Sequence, residues 1–155
     1  MPITKKSSNI EKFVQNKVDN LIEDMIYIFD AEGLNAVREM RTRRRYTDRT
    51  NNLRSSTGYA VVFNGNVVRG GKIEPVTDGN PSGGNGADGV QKGEAAINEI
   101  ASESTTNSIS LILVAGEYYA HYVERMGLNV MDSARRQASD GVESMMAQLG
   151  LIKKK

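Results

Sequence analysis

The sequence predicts an α+β fold: a long N-terminal helix and C-terminal helices packed on a small, mainly antiparallel β-sheet, with a long glycine-rich loop. Three observations predict it. Apolar residues recur at three- and four-residue steps from Ile10 to Met40, two apolar runs bracket Asn64-Gly65, and a β-branched and leucine run at 109–114 stands between two further helical patterns.

In the first helix, Ser8-Asn9-Ile10-Glu11 reads as a capping box, placing the start at Ser8. Ile10, Phe13, Val14, Val18, Leu21, Ile22, Met25, Ile26 and Phe29 then form one broad apolar face that a sheet should cover. Gly33 is a position for a kink or pause, but Leu34, Val37 and Met40 restore the spacing, so helix is expected up to the arginines. Arginines near a helix C-terminus complement its macrodipole.

Tyr59-Ala60-Val61-Val62-Phe63 and Val67-Val68 flank Asn64-Gly65, a pair that tolerates the positive φ angles of a type I′ turn, which predicts a β-hairpin. Leu53 and Tyr59 bracket the polar approach to that hairpin and are expected to anchor it to the first helix. Residues 70–93 hold eight of the fifteen glycines, among Pro75, Pro81, Asp and Asn, and so offer little apolar surface to offset ordering. A flexible loop over 77–92 is expected, inside one domain spanning 1–155. Residues 94–103, with Ala95, Ile97, Ile100 and Ala101 near helical spacing, read as a short amphipathic helix.

The run at 109–114 suits a buried central strand, ended by Gly116. From Glu117 the pattern turns helical, with Tyr119, Val123 and Met126 on one stripe, Tyr118 and Tyr122 beside it, and Gly127 at the C′ position. Tyr119 and Val123 are the expected core anchors there. A last helix over about 130–149 carries Val130, Ala134, Ala138, Val142, Met145, Met146 and Leu149 near one face.

The composition excludes several chemistries. Lys plus Arg, at 20, nearly balance Asp plus Glu, at 19, so no global field draws the chain to nucleic acid or membrane. No cysteine is present, which removes disulfides, thiolate metal sites and cysteine nucleophiles. No signal peptide or apolar run of spanning length is seen, so synthesis in the cytoplasm and no membrane partner are expected. The glycine-rich stretch lacks Gly-Lys-Ser/Thr, and one histidine gives a catalytic triad little to stand on. No enzyme activity and no cofactor are expected.

Two constellations stand out. Glu117, His121 and Glu124 share i, i+4, i+7 spacing, which a metal or acid–base site would use, but a solvated helical face gives the same letters. The site is therefore set aside, and Glu124 is expected to pair with an arginine, in this subunit or a neighbour. Arg38, Arg41, Arg43, Arg44, Arg45, Arg49 and Arg54 crowd one segment against only Glu39 and Asp48. Arginine binds phosphate bidentately without reading sequence, so this segment supports a sequence-independent nucleic-acid-binding module as the alternative function. A solvated helix end accounts for the same residues.

Two blocks carry a resemblance. Residues 46–59, Tyr-Thr-Asp-Arg-Thr-Asn-Asn-Leu-Arg-Ser-Ser-Thr-Gly-Tyr, lead into the apolar strand, and residues 115–127, Ala-Gly-Glu-Tyr-Tyr-Ala-His-Tyr-Val-Glu-Arg-Met-Gly, follow much later. In that order and separation they resemble the tail-completion, or neck, proteins of long-tailed bacteriophages. Asn51-Asn52 stands where that family often has Thr-Gly, and Met126-Gly127-Leu128 where it usually has a Gly-Thr pair. The resemblance implies a structural virion protein of the head–tail connector that joins the DNA-filled head to the tail. It implies a homohexameric ring between a head-closure protein and a tail terminator or tail tube protein, assembled in the bacterial host cytoplasm, with passing contact to genomic DNA. Arg41, Arg43, Arg44, Arg45, Arg49 and Glu124 are then the interface or DNA-lumen candidates, some of the arginines being expected to face an adjoining ring or the DNA-bearing lumen.

Overall fold

The computed structural model describes residues 3–78 and 83–153, with side chains from residue 9 onward. The first helix, α1 (Ile3–Thr42), is unbroken over 40 residues and about 60 Å long. It starts before Ser8, which is therefore no N-cap. No breaker stands between Ile3 and Ser8, and extending a formed helix costs far less than nucleating one. Gly33 does not interrupt it either. The ring of Tyr59 lies over Gly33, where a Cβ would come within 2.1 Å of the Tyr59 Cδ2, and the Tyr59 hydroxyl donates to Asp30 Oδ1 at 2.7 Å. Burial and this bond to a carboxylate raise the Tyr59 pKa.

Only the C-terminal part of α1 is covered. Ile28, Phe29, Ala36 and Met40 are buried, whereas Ile10, Phe13, Val14 and Val18 are 43% to 63% exposed. The apolar face thus continues past the sheet that was expected to cover it.

After α1 the chain forms a short helix, α2 (Asn52–Ser55), entered through Asn51 at φ 62°. Strands β1 (Thr57–Phe63), β2 (Asn66–Gly70) and β3 (Ile109–Ala115) form one sheet in the order β2-β1-β3, antiparallel throughout. Phe63 faces Asn66 across Asn64-Gly65, whose φ angles of 51° and 78° are those of the expected turn. β3 is an edge strand, not the central one. Its apolar run from Leu111 to Ala115 reflects two covered faces: Ile112 and Val114 pack with Ala60, Val62 and Ile97 on one side, Leu111 and Leu113 with Ala36, Met40 and Ala138 on the other. Periodicity reports faces; it is silent about edges.

The third helix, α3 (Ala87–Ser102), begins at Ala87 and not near Glu94, so residues 87–92 of the expected flexible loop are helical. Residues 79–82 lie outside the described residues. Gly89, Gly93, Ile97 and Ala101, spaced four apart, form the buried face of α3. A Cβ on Gly89 would lie 2.0 Å from the Asn52 carbonyl oxygen, and one on Gly93 would lie 2.5 Å from that of Ser56. Two glycines thus let the helix backbone rest on the chain around α2. The stretch before it is tied down as well: Ile73 and Val76 are buried, the Val76 N–H donates to Ser55 Oγ at 2.8 Å, and Asn51 Nδ2 donates to the Gly84 carbonyl at 2.7 Å.

Two helices follow, α4 (Ala120–Arg125) and α5 (Asp132–Gln148). Ala134 and Ala138 of α5 pack against Ala36 and Met40 of α1. The order of layers is α3, sheet, then α1 with α5.

Candidate functional site

The arginine segment divides into an inner and an outer set. Arg41 is half-buried, with its Nε donating to Thr57 Oγ1 at 3.2 Å and its Nη2 to the Thr57 and Glu74 carbonyls at 3.2 and 3.0 Å. Burial, followed by the neighbouring charge of Arg54, lowers its pKa. Arg44 donates to the Tyr46 carbonyl at 2.6 Å and stands 5.8 Å from that ring. Arg54, itself buried, reaches Asp78 at 2.8 Å. Arg38, Arg43, Arg45 and Arg49 are exposed; Arg43 meets Glu39 at 3.4 Å, and the Arg45 backbone N–H donates to the Leu128 carbonyl at 2.9 Å. Arg41 holds the end of α1 to the start of the sheet, Arg44 and Arg54 are engaged by Tyr46 and Asp78, and the other four lie at the surface.

Glu117, His121 and Glu124 are not gathered on one helical face, because α4 begins only at Ala120 and Glu117 precedes it. Glu117 is buried, and Lys92 Nζ lies 3.0 Å from its Oε2 and 2.7 Å from Asp88 Oδ2. Asp88, then Glu117, raises the Lys92 pKa. The contribution of the lysine charge is therefore fully present below the ordinary lysine value of about 10.4 and is lost as pH rises through the raised one. Among the described residues no group of three or more His, Cys, Asp or Glu is placed to hold a metal ion.

Within the single chain Glu124 pairs with no arginine among the described residues. Its carboxylate accepts from the backbone N–H groups of Val130, of Met131 at 3.0 Å and of Asp132 at 2.8 Å, at the start of α5. A helix start leaves N–H groups unpaired and carries positive partial charge, and a carboxylate answers both. Glu124→Ala should lower unfolding free energy by about 1–3 kcal/mol, and Glu124→Gln by less, since one amide oxygen remains an acceptor. Urea midpoints for the two variants check this ranking.

Tyr119 and Val123 pack around Tyr46, Leu53, Ala120 and Val130, so this cluster joins the two sequence blocks in space. Leu53 belongs here, and of the proposed hairpin anchors it is Tyr59 that contacts α1. The Tyr46 hydroxyl is buried with no hydrogen-bond partner among the described residues, and burial, then Asp48, pushes its pKa up to about 12. Met126 leaves the expected stripe: it is 65% exposed, beside Tyr118 at 80% and Tyr122 at 64%. Sequence reasoning missed the Lys92–Glu117 pair; a buried glutamate just after the strand end carries no periodic signal.

No family model matches the chain, and comparison with curated proteins and with solved structures gives no match. No described helix is long and apolar enough to cross a membrane.

Proposed function

We propose that the chain is a structural subunit of the bacteriophage neck, a tail-completion ring protein of the head–tail connector in the virion, without enzymatic activity. The observation that carries this reading is the apolar stripe of α1 that runs past the sheet, from Val18 back to Ile10, with no cover among the described residues. Exposed contiguous apolar surface of this kind marks an interaction site, and assembly into a ring would bury it. The resemblance of residues 46–59 and 115–127 to neck proteins supplies the context, and the cluster uniting Tyr46, Leu53 and Val123 supports treating the two blocks as one unit. A homohexamer between a head-closure protein and a tail terminator or tail tube protein fits the resemblance.

The exposed Arg38, Arg43, Arg45 and Arg49 favour one second reading, a sequence-independent nucleic-acid contact. In a ring the same residues would face an adjoining ring or the passing DNA. Particles produced without this protein should accumulate as filled heads separate from finished tails; joined, infectious particles would reject the neck reading. Arg43→Glu combined with Arg45→Glu should leave stability within about 1 kcal/mol, because exposed charges contribute little singly. Head–tail joining should fail or become salt-sensitive. Normal yields of joined particles from the double variant would remove the outer arginines from the interface.

A further inference from the structure

The uncovered part of α1 carries a charge pattern as well as an apolar one. Val14, Val18, Leu21, Met25 and Ile28 alternate at four- and three-residue steps, the a/d spacing of a helix-pairing seam. The seam is exposed at Val14 and Val18, half-buried at Leu21 and Met25, and closed against the sheet at Ile28. Charge is unevenly distributed along it: Glu11, Lys12 and Lys17, net positive, lie towards the N-terminus, whereas Asp19, Glu23 and Asp24 lie towards the sheet, all exposed. Where α1 meets the end of the sheet, Ile22, Met25, Phe63 and Ile109 line a hollow of about 290 Å³.

We propose that the free chain pairs with a second copy of itself through this seam, the two α1 helices running antiparallel about a two-fold axis near residues 18–21. A parallel arrangement would set Lys12 and Lys17 beside their own copies. The antiparallel one sets Val18 against the partner's Leu21 and Val14 against the partner's Met25, and brings Lys17 beside the partner's Asp24. The surface is self-complementary, as a two-fold contact requires. This inference shares the exposed stripe of α1 with the neck reading but is tested on the free chain, without particles. A ring joining unlike head and tail is polar, so the two-fold pair describes the unassembled subunit.

Sedimentation of the full chain at low salt should show a dimer. Val14→Asp should give a monomer with unchanged thermal stability of the core, since Val14 is exposed within one chain. Lys17→Glu or Asp24→Lys alone breaks two symmetry-related pairs and should lower the association constant about tenfold, while the double reversal should restore it. The chain has no cysteine, so single cysteines report orientation cleanly. Lys17→Cys mixed with Asp24→Cys should form a mixed disulfide, whereas Val14→Cys alone should not cross-link. A monomeric wild-type chain, a dimer indifferent to Val14→Asp, or efficient cross-linking of Val14→Cys with itself would each overturn the proposal.

Discussion

Leu53→Asp should cost about 4 kcal/mol or more of unfolding free energy, enough to leave much of the chain unfolded at ambient temperature. Leu53 is 3% exposed and packs among Tyr46, Ala120 and Val130. A carboxylate there would be desolvated beside Asp48, which is itself only 5% exposed. The nearest buried cation, Arg54, is already engaged by Asp78. With that cation engaged, the cost of burying the new charge dominates. Leu53→Ala removes the side chain without adding charge and should cost less, about 2–4 kcal/mol, as a cavity in a packed site does. Urea unfolding of both variants decides the matter; midpoints close to wild type would mean that Leu53 does not close this cluster.

Gly89→Val should be comparably damaging for a different reason. In an exposed helix, replacing glycine gains up to about 1 kcal/mol in helix propensity for alanine, and less for a β-branched residue. Here the new Cβ would meet the Asn52 carbonyl oxygen at 2.0 Å, and backbone cannot yield as a side-chain end can. Overpacking of this kind costs about 1–3 kcal/mol and upward, so the steric effect outweighs the propensity gain. The variant should unfold at lower urea and lose protection around Asn52–Ser55 first. A gain in stability would show that α3 does not rest on α2.

What could be read from the sequence follows the physics of each signal. The hairpin was legible because Asn64-Gly65 states its turn locally, between apolar runs. The run of α1 from Ile10 to Met40 was legible from its periodicity, but neither its start at Ile3 nor its cover was, since an apolar stripe records a need for burial without saying what supplies it. The glycines of 86–93 misled because glycine signals both a loop and a close helix contact; only the four-residue spacing Gly89, Gly93, Ile97, Ala101 distinguishes the second. Of the candidate site residues, Arg41 and Glu124 were singled out for their charge, yet both serve the fold, through carbonyls of Thr57 and Glu74 and through N–H groups of α5. Charge marks a residue as consequential; which atoms it meets is fixed by segments far along the chain.

The position of β1 at the middle of the sheet governs the order in which the fold can form. Its pairing with β2 closes across two residues and needs almost no chain. Its pairing with β3, Phe63 with Ile109 and Thr57 with Ala115, must wait for all of α3 to be accommodated between them. Closing so long a loop is entropically late, and contacts of large sequence separation slow the search for the native state. During synthesis the centre of the sheet therefore stays half-built, with one side of β1 unpaired, until Ile109–Ala115 has left the ribosome.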